Sequence, residues 1–303
     1  MFEIRDLTKS YGRTRIIDDL SFTVPNGAVT GFLGPNGSGK STTMRCMLGL
    51  DRIDRGEALI DGRSLTGYRA PARLVGAMLD AGWMNPKLTA RGHLRSVARA
   101  AALDDTRVDD CLALVGLESV AGKRIGGFSL GMKQRLGLAT AMLGDPEVLL
   151  FDEPVNGLAP EGILWIRRFM HARAAEGRTV LVSSHLLSEM AQTAQDLVVI
   201  GRGRLRAQTS VEEFLSAARS SVVLRTPHVE EVRAAAAEEG VTATLDESGA
   251  FLIDGQSAQQ VGDLAASLGI TVHELHEKRA SLEEAFMALT DQDVEYHGQE
   301  SAR

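Results

Sequence analysis

Residues 34–41 constrain the fold of this chain more than any other stretch, because they read Gly-Pro-Asn-Gly-Ser-Gly-Lys-Ser. The Gly-x-x-x-x-Gly-Lys-Ser spacing is typical of a loop that binds phosphate groups. Its glycines lack a Cβ and tolerate positive φ, so the backbone can wrap closely and turn successive amides inward. Lys40 would place a charge near the outer phosphates, and the Ser41 hydroxyl would ligate Mg²⁺. The alternative is a glycine-rich turn that binds nothing.

The residues that flank this loop favour the phosphate-binding interpretation. Residues 28–33 are predicted to form a buried strand that enters the loop, and residues 42–50 a helix that leaves it. The positive end of the helix dipole would then also face the phosphates. The predicted contact residues are Gly34, Pro35, Asn36, Gly37, Ser38, Gly39, Lys40, Ser41 and Thr42.

Length and composition indicate a globular protein of about two domains, since the chain has 303 residues, of which 44% are hydrophobic and 24% charged. The net charge of -7 argues against a general electrostatic grip on nucleic acid, so no nucleic-acid partner is expected. No apolar run approaches the length that spans a bilayer, and residues 1–6 read as a strand, not a signal peptide. Cys46 and Cys111 lie in apolar helical stretches, where reduced core thiols are favoured over a disulfide or metal site.

A second group of chemically capable residues follows apolar stretches further along the chain. Residues 148–151 form a continuous apolar run that ends in Asp152 and Glu153, typical of a strand buried in a parallel sheet. Ligands gather outside the carboxyl ends of such strands. Asp152 is therefore predicted to hold Mg²⁺, and Glu153 to polarise an attacking water. A solvated turn is the alternative.

Two further residues are candidates by position. His185 follows the next predicted strand, residues 178–184, which makes a contact with a γ-phosphate credible, although a lone histidine there is more often a capping side chain. Tyr11 stands in a turn between the first two strands, at residues 1–8 and 20–25, and its ring could stack on an adenine face.

The order of elements predicts an α/β domain with a helical insert. Strands and helices alternate, which implies a largely parallel sheet. Residues from about 88 to 145 lack strand patterning, and Thr89, Thr106 and Ser129 are placed to cap helices. For Ser129 alone, a capped helix without further function is the simpler interpretation.

A second, smaller domain is predicted after a boundary near Ser210. Its pattern reads βαββαβ, with strands expected at residues 221–225, 242–245, 250–254 and 271–275, which is the ferredoxin-like arrangement. Capping boxes that begin at Ser210 and Ser281 open two further helices. We expect the first domain to cover residues 1–215, the second 220–290, and a disordered tail 291–303.

Taken in order, the phosphate loop, Ser129-x-Gly131 at a helix start, the Asp152-Glu153 strand end and His185 resemble the nucleotide-binding subunit of an ATP-binding-cassette (ABC) transporter. The resemblance covers about residues 1–215. It implies a P-loop NTPase cassette with a mostly parallel sheet core, antiparallel N-terminal strands and a helical insert. It also implies ATP and Mg²⁺ as ligands, and an ATPase activity coupled to transport.

The resemblance assigns a role to each candidate position. Residues 34–41 resemble the Walker A loop, and residues 129–132 the signature that contacts the γ-phosphate held by the opposite subunit. The single-residue roles follow in chain order: Tyr11 the adenine-stacking aromatic, Asp152 the Walker B aspartate, Glu153 the catalytic base and His185 the switch histidine. A head-to-tail dimer that encloses two ATP molecules is implied, with a separately encoded polytopic permease as partner at the cytoplasmic face of the membrane. The small second domain and the signature variant further resemble exporters of the bacitracin-resistance and lantibiotic-immunity type.

Three positions depart from the family pattern. Asp80 stands where a glutamine near Mg²⁺ and the attacking water is usual, Ala159 replaces the aspartate of the loop after Glu153, and Leu130 replaces the first signature glycine. Asp80 could still hold water or metal. Asp80 and Ala159 keep open a nucleotide-binding regulator with weak turnover. A cassette ATPase acting on ribosomes or DNA is the other alternative, disfavoured by the single cassette and the acidic charge.

Overall fold

The fold is described from a computed structural model that covers residues 1–80, 83–217, 221–246, 248–278 and 281–290. These residues fall into two compact units. The first spans Met1–Ser210, with Thr290, and the second spans Val211–Leu289. The tail predicted at residues 291–303 lies outside the described residues.

The first unit is a mixed α/β structure, as the sequence predicts. Its strands are β1 (Phe2–Tyr11), β2 (Thr14–Val24), β3 (Val29–Leu33), β4 (Arg55–Ile60), β5 (Arg63–Ser64), β6 (Val75–Met78), β7 (Val148–Asp152), β8 (Thr179–Ser183), β9 (Asp196–Gly201) and β10 (Arg204–Ser210). Its α-helices are α1 (Lys40–Met47), α2 (Ala90–Ala100), α3 (Arg107–Leu114), α4 (Leu130–Ala141), α5 (Pro160–Ala175) and α6 (Leu187–Thr193).

A six-stranded sheet in the order β10-β9-β3-β8-β7-β6 carries the candidate site. All its pairs are parallel except β9 with β10. Strands β3 and β8 are buried along their whole length, and most of their residues are apolar. Parallel pairing places the carboxyl ends of β3, β7 and β8 at one edge of the sheet.

A second sheet, antiparallel and in the order β2-β1-β4-β5, packs over the first through a shared core. Alternate residues of β1, such as Phe2 and Ile4, meet Phe32 of β3 and Met44 of α1 in this core. The burial of alternate side chains explains the period of two in the sequence of these strands. The antiparallel N-terminal strands of the predicted cassette are therefore confirmed.

Helices fill the region between β6 and β7. The Thr89 hydroxyl accepts a hydrogen bond from Gly92 N at the start of α2, so the predicted cap is confirmed. Thr106 precedes α3, but its side chain makes no capping hydrogen bond, because its own backbone is already helical at φ -58 and ψ -34. That part of the prediction is wrong.

The second unit holds β11 (Ser221–Arg225), β12 (Ala243–Leu245), β13 (Phe251–Asp254) and β14 (Glu274–Lys278), with α7 (Val211–Ala217), α8 (Val229–Glu239), α9 (Ala258–Ser267) and α10 (Leu282–Thr290). The strands pair antiparallel in the order β12-β13-β11-β14, which is compatible with the ferredoxin-like arrangement. The last strand lies about three residues later than the predicted 271–275.

Two other expectations concern local features. Cys46 and Cys111 are both buried and free, as predicted. Ser281 and Glu284 form the predicted capping box of α10, with Ser281 N donating to Glu284 Oε2 at 2.8 Å. No helix within the described residues is long and apolar enough to cross a membrane.

Candidate functional site

The loop between β3 and α1 can only be built with glycines at several positions. A Cβ on Gly34 would stand 2.6 Å from the carbonyl oxygen of Ile200. Gly37 and Gly39 have positive φ angles of 81° and 103°, and Gly39 is the N-cap of α1. Left-handed backbone at two positions turns the loop around the start of the helix, where unpaired amides collect. The geometry suits an anionic ligand.

Lys40 is the first residue of α1 and is buried. Its Nζ donates hydrogen bonds to the carbonyl oxygens of Gly34 at 2.6 Å and Pro35 at 3.2 Å. Burial lowers the pKa of the Lys40 amine, while the charges of Glu153 and Asp152 oppose that shift. The loop therefore contains a partly desolvated cation whose nearest ionic neighbours are the two carboxylates of the β7 end.

Asp152 and Glu153 meet β8 at the carboxyl edge of the sheet. Asp152 is the last residue of β7 and pairs in register with Ser183 of β8. The Ser183 hydroxyl donates to Asp152 Oδ1 and accepts a hydrogen bond from Glu153 N at 3.0 Å. Glu153 itself has a φ of 51°, a backbone conformation that residues other than glycine rarely adopt.

His185 contacts the Glu153 carboxylate directly. Its Nδ1 lies 2.7 Å from Glu153 Oε2, and its backbone N donates to the same oxygen at 3.3 Å. The imidazole remains half-exposed. Two bonds to one carboxylate oxygen fix where the Glu153 side chain points, so His185 and Glu153 form one unit at the sheet edge.

Most of the predicted residues line one cavity of about 420 Å³. It is lined by Tyr11, Ile16, Asn36, Gly37, Ser38, Gly39, Lys40, Ser41, Thr42, Asp152 and Glu153. The Ser38 hydroxyl beside it is buried and has no hydrogen-bond partner among the described residues. A buried hydroxyl without a partner is costly, which makes Ser38 an unusual feature of this loop.

The Tyr11 ring stands at the mouth of this cavity and is about half-exposed. Its hydroxyl donates to Asp51 Oδ2 at 2.6 Å, and Lys9 Nζ lies 4.9 Å from the ring centroid. Arg45 binds both carboxylate oxygens of Asp51 and, with the Tyr11 hydroxyl, lowers the pKa of Asp51 to about 2. The ring is therefore anchored at its hydroxyl end while part of it stays open to a planar ligand.

Ser129 and Gly131 do not line this cavity. Ser129 caps α4 by accepting a hydrogen bond from Met132 N at 3.3 Å, as its sequence position predicts. Leu130 packs against Gly157, where a Cβ would come within 2.8 Å of Leu130 Cδ2. The start of α4 thus adjoins the segment that follows Glu153, and the structure does not bring it to the phosphate loop.

The residues present fit a bound Mg²⁺. Ser41 and Asp152 both line the cavity, and together they offer a hydroxyl and a carboxylate oxygen. Mg²⁺ is usually held by one or two protein oxygens together with phosphates and water. Accordingly, the described residues contain no cluster of three or more His, Cys, Asp or Glu side chains. Asp80, predicted to act near the metal, is exposed and is not among the described residues that line the cavity.

Ser183 is the site residue that sequence reasoning missed. It was assigned only to the buried strand of residues 178–184, and its hydroxyl received no role. The available signal was a hydroxyl directly after the apolar residues 180–182, because a buried polar group must find a partner. The partner could not be named without the register of β7 against β8.

Comparison with known proteins places this chain in a family. The sequence profile of the family described as "ABC transporter" matches residues 17–156, and a "Domain of unknown function (DUF8746)" matches residues 220–283. The chain is 42% identical over 208 residues to "Uncharacterized ABC transporter ATP-binding protein YhcH" of Bacillus subtilis (strain 168), covering 68% of each chain. It is 41% identical over 203 residues to "Bacitracin transport ATP-binding protein BcrA" of Bacillus licheniformis, covering 66% of each.

Further similarities point the same way. The "Lantibiotic transport ATP-binding protein SrtF" of Streptococcus pyogenes is 34% identical over 205 residues, which are 68% of this chain and 89% of that protein. A solved structure described as "Structure of ATP binding subunit of ABC transporter" superposes with a TM-score of 0.65 and 29% identity, over 72% of this chain and 92% of that one. The chain belongs to the family of ATP-binding subunits of ABC transporters, as the sequence resemblance predicts. Members of this family bind ATP.

Proposed function

We propose that this subunit hydrolyses ATP with Mg²⁺ bound, and that hydrolysis drives transport by a membrane partner. One observation carries the proposal: Lys40, Asp152 and Glu153 line the same cavity as the phosphate loop. A cation, a carboxylate able to hold a metal and a second carboxylate beside a phosphate loop are the parts that phosphoryl transfer to water requires.

In this proposal each residue has a distinct task. The unpaired backbone N–H groups of the phosphate loop and the Lys40 amine would neutralise the phosphate charge, and Ser41 with Asp152 would hold Mg²⁺. When bound, the metal would supply neutralisation of the phosphate charge. Glu153 accepts a hydrogen bond from the attacking water, and His185, bonded to Glu153 Oε2, keeps that carboxylate oriented and contacts the γ-phosphate. Asp80 is proposed as an accessory acid that holds water near the metal.

The position of the signature supports a dimer. Ser129 and Gly131 lie outside the cavity, next to the segment that follows Glu153. A contact of theirs with a γ-phosphate would therefore come from a second copy of the chain. We propose a head-to-tail homodimer, formed with ATP, in which Ser129 of one subunit completes the site of the other.

The transported compound is proposed from the relatives. Two similar proteins carry bacitracin and lantibiotic transport in their names, which supports export of a peptide antibiotic or a similar drug. We propose a separately encoded polytopic permease as the membrane partner, as the family resemblance implies. The subunit would then act at the cytoplasmic face of the membrane. The second unit is proposed to act as an interaction module.

The test is the Glu153→Gln variant. Glutamine keeps the size of the side chain but cannot take a proton, so we expect turnover to fall at least about 100-fold while ATP binding is retained. Phosphate release measures turnover, and titration with a fluorescent ATP analogue measures binding. Glu238→Gln, an exposed glutamate of the second unit, is the matched control and should behave as the wild type.

Three results would count against the proposal. Turnover of the Glu153→Gln variant at the wild-type rate would show that Glu153 does not activate the attacking water. ATP binding by the wild type without phosphate release, with or without permease, would favour the nucleotide-binding regulator that Asp80 and Ala159 suggest. Capture of ribosomal components or DNA by the ATP-bound variant, and no membrane protein, would favour a cassette that does not act in transport.

A further inference from the structure

Ser183 is a fully buried hydroxyl at the carboxyl end of β8, where its three neighbours in the strand are Val180, Leu181 and Val182. A hydroxyl in such surroundings is destabilising unless both its donor and its acceptor functions are used. Both are used here, and both partners are residues of the proposed catalytic edge.

The direction of the two hydrogen bonds follows from the donors available. Glu153 N can only donate, so at 3.0 Å it occupies an acceptor position on Ser183 Oγ. The single proton of Ser183 is then directed to Asp152 Oδ1. The parallel register places Asp152 directly beside Ser183, so neither bond needs a displaced strand.

These bonds act at the point where the chain leaves the strand. Glu153 follows Asp152 with a φ of 51°, a turn that costs energy for a residue with a Cβ. The hydrogen bond from Glu153 N to Ser183 stabilises that turn. The bond to Oδ1 limits rotation of the Asp152 carboxylate, the group proposed to hold Mg²⁺.

We propose that Ser183 is a positioning residue that sets, through one hydroxyl, both the orientation of the Asp152 carboxylate and the turn that presents Glu153. The proposal rests on the proposed function, because Asp152 and Glu153 act through bound Mg²⁺ and nucleotide. Groups bonded to a metal ligand typically change metal affinity about 10- to 100-fold when they are removed.

The neighbouring hydroxyls differ in their partners. Ser184 is also buried, but its Oγ accepts a hydrogen bond from Leu186 N at 3.0 Å and so belongs to the turn before α6. Thr179, at the opposite end of β8, is buried and donates to Asn26 Oδ1 at 2.6 Å. Thr179→Val therefore removes one buried hydroxyl from the same strand without touching the site, which makes it the matched control.

The experiment compares the full-length wild type with Ser183→Ala, Ser183→Thr and Thr179→Val. Electron paramagnetic resonance measures Mn²⁺ bound in the presence of a non-hydrolysable ATP analogue, and a parallel titration in EDTA measures nucleotide affinity without metal. Thermal unfolding reports whether each variant is folded. We expect Ser183→Ala to weaken Mn²⁺ binding about tenfold, with metal-free nucleotide affinity within about twofold of the wild type.

Ser183→Thr keeps the hydroxyl on a residue that strands accommodate, so it should restore most of the Mn²⁺ affinity. Thr179→Val should leave it unchanged. Equal Mn²⁺ affinity in Ser183→Ala and the wild type would overturn the inference while leaving the proposed function intact, as would an equal loss in Thr179→Val. If the wild type itself binds no Mn²⁺ with nucleotide, the proposed function fails, and the inference fails with it.

Discussion

The two units each contain a cavity of about 420 Å³, yet the two cavities differ in chemistry. The cavity of the first unit is lined by Lys40, Asp152, Glu153 and the amides of the phosphate loop. The cavity of the second unit lies between α8 and α9 and is lined mainly by apolar side chains such as Val232, Val261 and Ile270. Volume alone therefore does not identify a site in this protein, whereas the convergence of charged groups does.

The two units also differ in where residues other than glycine have a positive φ. Among the described residues, those other than glycine that have a positive φ all lie in the first unit: Asp6, Asp19, Asp61, Ala102, Asp145, Glu153 and Arg202. Of these, only Glu153 lines the nucleotide cavity. Sparsely populated backbone conformations persist where surrounding structure enforces them, and they cluster at functional sites. The first unit thus holds the charged cavity and all the positive-φ residues named here, whereas the cavity of the second unit is mainly apolar.

The largest effect is expected when one lysine is removed from each unit in turn. Lys40→Ala should lower ATP affinity about 10- to 100-fold, because a buried charged donor to phosphate is lost. Lys278→Ala, which breaks only an exposed ion pair with Glu284, should leave ATP affinity unchanged. Isothermal titration calorimetry gives both affinities. Unchanged affinity in Lys40→Ala would contradict the phosphate-loop assignment.

A second test compares two capping serines. Ser129 caps α4, and Ser257 caps α9 in a capping box with Gln260. Each Ser→Ala change should cost about 1 kcal/mol of unfolding free energy. We expect only Ser129→Ala to lower the rate of phosphate release further, by about tenfold, since Ser129 is proposed to touch the γ-phosphate of the partner subunit.

Denaturant unfolding and phosphate release on the two capping variants separate these effects. An equal fall in turnover for Ser257→Ala would show that loss of a cap in either unit disturbs catalysis. It would contradict the expectation that only the first unit takes part in turnover. Wild-type turnover in Ser129→Ala would reduce Ser129 to a helix cap, the simpler interpretation that its sequence position allows.

The smallest expected effect concerns Tyr11. Tyr11→Phe keeps the ring but loses the hydrogen bond to Asp51, so ATP affinity should change less than about threefold. Titration with a fluorescent ATP analogue measures it, and Asp51→Asn serves as a comparison that keeps the hydroxyl. A tenfold loss in Tyr11→Phe would mean that the hydroxyl, not the ring face, recognises the nucleotide.

Sequence patterns predicted the parts of the fold in which side-chain burial follows a simple period. The apolar run of β7 and the glycine spacing of the phosphate loop led to the right elements because burial and close backbone approach dictate those residues. The strand β14 was placed about three residues early, since its sequence, Glu-Leu-His-Glu-Lys, is almost wholly exposed at a sheet edge. Helix α6 was missed because it has seven residues and no side-chain cap.

Only those site residues that belong to local sequence motifs could be predicted from the sequence. Lys40, Asp152, Glu153 and the loop were named from local motifs, and the structure places them around one cavity. The role of Ser183 depends on the register of two strands that lie 30 residues apart in sequence, so it required the fold. The composite site proposed for Ser129 depends on a second copy of the chain, beyond what one chain's geometry specifies.

The left-handed turn at Glu153 has a consequence for how this sequence can change. Glycine would relax a φ of 51° at that position, and so would raise stability, but it would remove the carboxylate that faces the cavity. The backbone and the chemistry thus favour different residues at one position. Selection for a stable fold alone would favour glycine here, so the carboxylate proposed to act in turnover stands where it lowers the stability of the fold.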